Sequence, residues 1–299
     1  MKSERLYHIL KLRLESNLTL LDDKPEETIE ATIKALWNKA QESALSAEKA
    51  IDLPLAELSC QQIILLYQLV EKRLNGKPLA HIIGRQSFMG IELLSDKRAL
   101  IPRKETEILG NLALQLCQKI AEKKPNINIL DICCGSGNLG LAIASHHKNT
   151  VIHSADLSHE AVELTNENIS FLGLHHRVKV SQSDLFLNFE SADYWGKIDL
   201  VVCNPPYIST SKVSKMATEI TENEPAMAFD GGMVGLKIIQ RLIHESPKFL
   251  SENGWLIFEV GHGQGPFVLQ MCEKSGLYHQ ITSAADETGN IRVIAVCIN

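Results

Sequence analysis

No apolar run in the 299-residue chain approaches the length that spans a membrane. The opening Met1-Lys2-Ser3-Glu4-Arg5 has no signal-peptide character, so a cytoplasmic protein is expected. Basic excess is also missing. The net charge is −6, which argues against duplex nucleic acid as the main ligand. Cysteines number seven, an odd count set mostly inside apolar runs, which fits reduced thiols better than a disulfide framework. Cys133 and Cys134 are adjacent and lack metal-ligand spacing, so no metal site is expected. Charged residues at 22% and hydrophobic residues at 44% are ordinary for a globular protein, and the length suits two domains.

Glycine is absent from Tyr7–Leu18, Pro25–Ala50 and Ala56–Leu74, which carry apolar residues at helical spacing. Asp22-Asp23, Lys24-Pro25 and Ile51-Asp52-Leu53-Pro54 separate them. Residues 1–80 therefore read as a helical domain without clustered polar chemistry, suited to recognition or to packing. Residues 81–102 read as a hairpin linker, with short strands at Ile82-Ile83-Gly84 and Ser87–Leu94. Leu100-Ile101-Pro102-Arg103 then leads into a helix reaching about Ala121, whose amino-terminal turn carries Glu105, Thr106 and Glu107.

Residues 103–299 alternate strand and helix. Strands are expected at Ile127–Ile132, Val151–Ala155, Val178–Gln182, Ile198–Cys203, Gly254–Val260 and Ile291–Cys297. Helices are expected at Leu141–His147, Ser158–Phe171 and Leu236–Leu250. The fold class is α/β: a doubly wound, Rossmann-like sheet with a smaller N-terminal helical domain. Such sheets bind ligands beyond the carboxyl ends of their strands.

Asn204-Pro205-Pro206-Tyr207 occupies one of those ends. The prolines forbid the strand from continuing, so a rigid polar corner forms. Asn204 offers an amide oxygen, Pro205 a carbonyl with no N–H, and Tyr207 a flat face and a hydroxyl. Two acceptors and a flat wall suit a planar NH2 group, whose conjugated nitrogen is a poor nucleophile. Gripping its hydrogens orients it and favours positive charge on nitrogen as it attacks an electrophile. Other strand ends add to this. The small-residue turn Cys133-Cys134-Gly135-Ser136-Gly137 lets a ligand approach the backbone, Asp156 can grip ribose hydroxyls, and Asp184 can accept from an adenine amine. His262 and Gln264 read as turn residues, and the acidic stretch Glu219–Glu224 as a solvated face.

With these blocks in hand, the chain resembles the class I S-adenosylmethionine-dependent methyltransferases. Within them it is similar to the HemK-like protein-(glutamine-N5) methyltransferases that modify peptide-chain release factors. The resemblance rests on Gly76–Gly84, Leu100–Glu107, Leu130–Gly137, Asn204–Ile208, Glu224-Pro225, Asp230–Leu236, Phe258–Gly261 and Asp286–Val293. It implies S-adenosylmethionine as cofactor, bordered by Cys133, Cys134, Gly135, Ser136 and Gly137. Asp156 would hold the ribose, and Asp184 with Leu185 would flank the adenine. Asn204, Pro205, Pro206 and Tyr207 would hold the glutamine amide, with Asn204 also lying against the cofactor. It also implies a release factor as protein partner, and no membrane.

The sequence departs from that family at three places. Cys133 stands where the release-factor branch has glycine, so a torsion favoured by glycine is expected to be lost. A cysteine there resembles the branch that methylates a ribosomal-protein glutamine. Leu185 replaces a frequent aromatic, and Lys104 a frequent proline. Alternatives are a relative methylating another amide or amine, a DNA adenine-N6 methyltransferase, and a non-catalytic binding module with the cofactor fold.

Overall fold

In the computed structural model, residues 3–233 and 235–299 are described. Met1 and Lys2, read above as part of the opening segment, and Val234, within the Asp230–Leu236 block, lie outside the described residues. The chain forms two compact units. One gathers Met1–Lys97, Ile101–Lys104 and Ala217–Glu224; the other gathers Arg98–Leu100, Glu105–Met216 and Pro225–Asn299.

The first unit is built on the glycine-free segments. Its helices are Ser3–Asn17, Ile29–Ala40, Ala47–Ala50, Cys60–Leu74, Leu79–Ile83 and, from the returning stretch, Thr218–Asn223. Leu6, Leu10 and Leu14 form one buried stripe at helical spacing and meet Leu36, Trp37, Leu66 and Val70. Thr28 caps the second helix, and Ser59 with Gln62 forms a reciprocal capping box on the fourth.

The segment 25–50 is not one helix. Glu42 takes a left-handed φ of 64°, Ser43 N–H returns to the Asn38 carbonyl at 3.0 Å, and Glu42 N–H to Lys39 at 3.1 Å. That is a helix-ending pattern usually built on glycine. Beyond it, the Ser46 backbone and hydroxyl donate to the Glu92 carboxylate at 2.6 and 2.8 Å. Ile82-Ile83 is helical rather than extended, because Gly84 at φ 79° closes the turn with its N–H on Ala80. The strands follow: β1 (Arg85–Phe88) and β2 (Ile91–Leu94) pair antiparallel around Met89-Gly90, whose φ values of 47° and 78° suit a tight hairpin turn.

The acidic stretch 219–224 is only partly a solvated face. Glu219 accepts from Lys24 at 3.1 Å and Arg73 at 2.6 Å, while Arg73 also reaches Glu27 at 3.1 Å. Glu224 is buried, accepting from Arg103 at 2.7 Å and the Ile101 N–H at 2.8 Å. Burial pushes the Glu219 carboxyl up, but Lys24 and Arg73 outweigh it and hold it below the usual carboxylate range.

In the second unit the strands are β3 (Ile127–Ile132), β4 (Thr150–Asp156), β5 (Val178–Gln182), β6 (Ile198–Cys203), β7 (Leu250–Glu259), β8 (Gln280–Ala285) and β9 (Ile291–Cys297). They form one seven-stranded sheet in the order β5-β4-β3-β6-β7-β9-β8. Pairing is parallel from β5 through β7, and β9 runs antiparallel to both of its neighbours. The strand order reverses at β3, the position where open α/β sheets bind ligands. Every residue of β6 is buried, including Asp199, whose carboxylate takes Lys124, the Ser251 hydroxyl at 2.9 Å and the Asn128 N–H at 2.9 Å.

Two elements differ from the expectation. β7 begins at Leu250, where a helix end was expected; Asn253 at φ 59° and a register shift opposite Ile198–Leu200 carry the strand through Asn253-Gly254. β8 is an additional strand. It is polar and mostly exposed, so it lacks the apolar run that announces buried strands.

Candidate active site

Strand register brings the site together. Ile132 of β3 pairs with Ala155 of β4 and Cys203 of β6, and Cys203 pairs with Phe258 of β7. The next residue on each strand, Cys133, Asp156, Asn204 and Glu259, therefore stands in one row along the sheet's carboxyl edge. Asp184 leaves β5 two residues past Gln182, the partner of Asp156.

The turn after β3 is held from below. Cys134 N–H reaches the Ala155 carbonyl at 3.0 Å, Gly135 N–H reaches Asp156 Oδ2 at 2.9 Å, and Gly137 N–H folds back to Cys134 at 2.8 Å. Thr165 and Asn168, on the helix His159–Phe171, donate to the carbonyls of Gly135 and Ser136 at 2.8 and 3.0 Å. Cys133 has φ 58°, so the left-handed torsion expected to be lost is retained by a cysteine. The tethers on either side hold it against a cost of about 1 kcal/mol.

Asp156 spans this turn and the following one, accepting from Gly135 and, through Oδ1, from the Ser158 N–H at 2.9 Å. Its burial raises its pKa, and those backbone donors pull partly the other way. Cys134 is buried beside Thr165, beneath the turn. Asp184 is half exposed and accepts from Arg241 at 2.7 Å, and Leu185 is buried in the sheet's core at φ 49°.

The Asn204–Tyr207 corner is braced differently. Asn204 Nδ2 donates to Thr106 Oγ1 at 3.4 Å. Thr106 heads the helix Glu107–Ala121 without capping it, so its hydroxyl is available. The Tyr207 hydroxyl donates to Glu259 at 2.9 Å and approaches Glu105 at 3.4 Å, while Gln264 Nε2 holds the Tyr207 carbonyl at 2.9 Å. Gly231 and Gly235 pack over the chain leaving the prolines. A Cβ on Gly235 would fall 2.1 Å from the Tyr207 carbonyl oxygen, and one on Gly231 2.6 Å from that of Pro206. Only glycine permits that approach.

Behind the corner lies Glu259, 1% exposed, with Arg292 at 3.7 Å; Arg292 also bridges to Glu105 at 2.8 Å. Burial, then the Glu105 charge, push the Glu259 carboxyl up to about 7, against Thr106, Tyr207 and Arg292. Burial, then the Glu259 and Glu105 charges, raise the Tyr207 hydroxyl well above its usual value.

The chain is matched over residues 113–234 by the family model described as "Methyltransferase small domain". A "Release factor glutamine methyltransferase" of Rhodopirellula baltica is 32% identical over 236 residues, covering 79% of this chain and 79% of that one. The chain belongs to the HemK-like release factor glutamine methyltransferase family. A "Ribosomal protein uL3 glutamine methyltransferase" of Francisella tularensis is also 32% identical, over 80% of this chain and 76% of that one. Among solved structures, the hMettl16 catalytic domain in complex with MAT2A 3′UTR hairpin 6 aligns with a TM-score of 0.52 at 14% identity, over 77% of this chain and 91% of that one. That likeness shows the fold.

As a HemK-like enzyme, the protein is an S-adenosylmethionine-dependent methyltransferase, and the row of strand ends fits that cofactor. Space is open where a Gly135 side chain would stand. Asp131 Oδ1 and Ser136 Oγ are buried without a hydrogen-bond partner beside the same turn. Carboxylates at Asp131 and Asp156 suit a ligand that carries a sulfonium and an ammonium. Among the described residues, no cluster of His, Cys, Asp or Glu is arranged to hold a metal.

Thr106, Gln264, Asp131 and Glu259 carry more of this site than sequence reasoning assigned them. One signal was available: Asp131 and Glu259 each put a carboxylate at or near the end of an otherwise apolar strand. Gln264, read as a turn residue, offers no such signal, since its partner is a carbonyl 57 positions away.

Proposed function

We propose that the protein transfers a methyl group to the side-chain amide nitrogen of a glutamine in a peptide-chain release factor. The observation that carries this reading is the state of Asn204: its NH2 is committed to Thr106, which leaves its oxygen for an acceptor's hydrogens. When bound, S-adenosylmethionine supplies a methyl carbon made electrophilic by its sulfonium. Cys133, Cys134, Gly135, Ser136 and Gly137 border its methionine part, Asp156 holds the ribose, and Asp184 and Leu185 flank the adenine. Asn204 Oδ1 and the Pro205 carbonyl accept the two amide hydrogens, Pro206 keeps the turn rigid, and the Tyr207 ring packs beside the amide plane. Two negative dipole ends facing the N–H hydrogens polarise those bonds toward nitrogen and stabilise the positive charge that it gains during attack. The corner holds no His or Lys, so the released proton passes to water.

Residues 1–80 serve recognition of the protein partner, and the reaction belongs in the cytoplasm, where release factors act. The test is to incubate the protein with labelled S-adenosylmethionine and purified release factor, then locate the methyl group by mass spectrometry. Label on a release-factor glutamine is expected; label absent there but present on ribosomal protein uL3 overturns the substrate assignment. Cys133 favours that second substrate, since it stands where the release-factor branch has glycine.

A further inference from the structure

An asparagine side chain has two ends of similar shape and opposite polarity, on a terminal torsion that is broad and roughly two-fold. Turned one way, Asn204 meets an acceptor amide's hydrogens with oxygen; flipped, it meets them with its own NH2 and repels them. Something must break that degeneracy. Thr106 Oγ1 receives Asn204 Nδ2 at 3.4 Å, but a hydroxyl is both donor and acceptor and would tolerate the flipped amide equally well. It enforces one polarity only when its own proton is claimed elsewhere. The Glu259 carboxyl stands ready to claim it, held from the adjacent strand end in the same row as Asn204. The same carboxyl takes the Tyr207 hydroxyl at 2.9 Å. One buried group thus reaches the corner on both sides of the proline pair.

We propose that Thr106 and Glu259 are positioning residues for methyl transfer, fixing which end of the Asn204 amide faces the acceptor. The role rests on the acceptor assignment made above. Ionised Glu259 only accepts, so the Thr106 proton points to it and Asn204 can only donate to Thr106. Protonated Glu259 can donate to Thr106, and the constraint lapses. The charged and titratable groups facing Glu259 are Glu105, from the turn before the helix Glu107–Ala121, Tyr207 from the end of β6, and Arg292 from β9, with Asp286 acting on Arg292. Burying a carboxyl beside a second acid, Glu105, with one guanidinium weakens folding, and a well-packed apolar residue would fold better there.

Three full-length variants test the proposal: Thr106→Val, Thr106→Ser and Glu259→Gln. S-adenosylhomocysteine titration reads the cofactor side, and release-factor methylation across pH reads kcat and KM. In Thr106→Val, kcat is expected to fall about 10- to 100-fold, with KM and S-adenosylhomocysteine affinity within about two-fold of the parent. Thr106→Ser should restore most of the rate. Glu259→Gln keeps an acceptor for Tyr207 but can donate to Thr106, so its rate should be intermediate and its acid-side decline near neutral pH should vanish. Unchanged kcat in Thr106→Val and Glu259→Gln, failure of serine to rescue, or parallel loss of kcat and S-adenosylhomocysteine affinity would each overturn the role.

A wild-type protein that leaves release factor unmethylated overturns the substrate assignment instead. The role is then decided by the Asn204 side-chain NH2 resonance in 15N-asparagine-labelled protein, assigned with Asn204→Asp. It should move and exchange faster in Thr106→Val and Glu259→Gln; an unmoved signal overturns the proposal.

Discussion

The two halves of the strand-end row are built by opposite means. On the β3–β4 side the proposed cofactor surface is backbone: a turn with φ of 58°, 56° and 80° at Cys133, Gly135 and Gly137, tied down by Asp156, Thr165 and Asn168. On the β6–β7 side the backbone is made rigid by two prolines, and side chains from distant segments do the bracing. Main-chain groups hold a ligand of constant shape without asking for particular side chains. A reacting amide needs oriented side-chain dipoles, and each needs a partner to fix its orientation. The difference implies that damage on one side should appear as lost cofactor affinity, and on the other as lost rate.

The sharpest break would come from Asn204→Ala. Transfer should fall by about 10³-fold or more, with S-adenosylhomocysteine affinity nearly unchanged, as read by single-turnover kinetics and titration calorimetry. Normal turnover would remove Asn204 from the mechanism. Next, Asp156→Ala frees both Gly135 and Ser158 from their anchor. It should weaken S-adenosylhomocysteine binding by about 10- to 100-fold, with a much smaller change in kcat at saturating cofactor. An effect of equal size on both would erase the division of labour.

A subtler comparison sets Asp131 against Glu259, one carboxyl on each side. Burial raises each to about 7, opposed at Asp131 by the Gly140 and Ser154 donors and reinforced at Glu259 by Glu105. A carboxyl raised in the folded state holds its proton where the unfolded chain has released it, so stability declines as pH rises from about 4 toward 7. Asp131→Asn and Glu259→Gln should each flatten that decline in pH-dependent denaturation, and curves parallel to the parent's would refute the assignment. The smallest effect is expected at Cys133→Gly. Relief of the left-handed torsion and the added freedom of the unfolded chain nearly cancel, leaving a stability change below about 1 kcal/mol. Cys133→Val should destabilise more, because a branched side chain resists positive φ.

Much of this was legible in advance because periodicity reports burial. β3, β5, β6 and β9 run between the residues that their apolar patterns mark. Asn204, Asp156 and the turn 133–137 could be located because they follow such runs. What was hidden depends on tertiary partners. Nothing local ends the helix at Ala40, where Glu42 takes a glycine-like torsion. Nor does the run Glu219–Glu224 show that two of its carboxylates meet Arg73, Lys24 and Arg103, contributed from as far as 195 positions away. Contiguous ranges read along the chain therefore give no hint that 217–224 belongs with the helical unit.

That return of the chain has a practical consequence for dissecting the enzyme. A fragment beginning after Lys97 would keep Glu219 while discarding Lys24 and Arg73, and would leave the Arg103–Glu224 pair without Asp23. Without the helical unit, the stretch 217–224 loses the side chains that fix it in place. Cutting the gene at the obvious seam would orphan a piece of the removed half inside the retained one, so a clean excision must also replace 217–224.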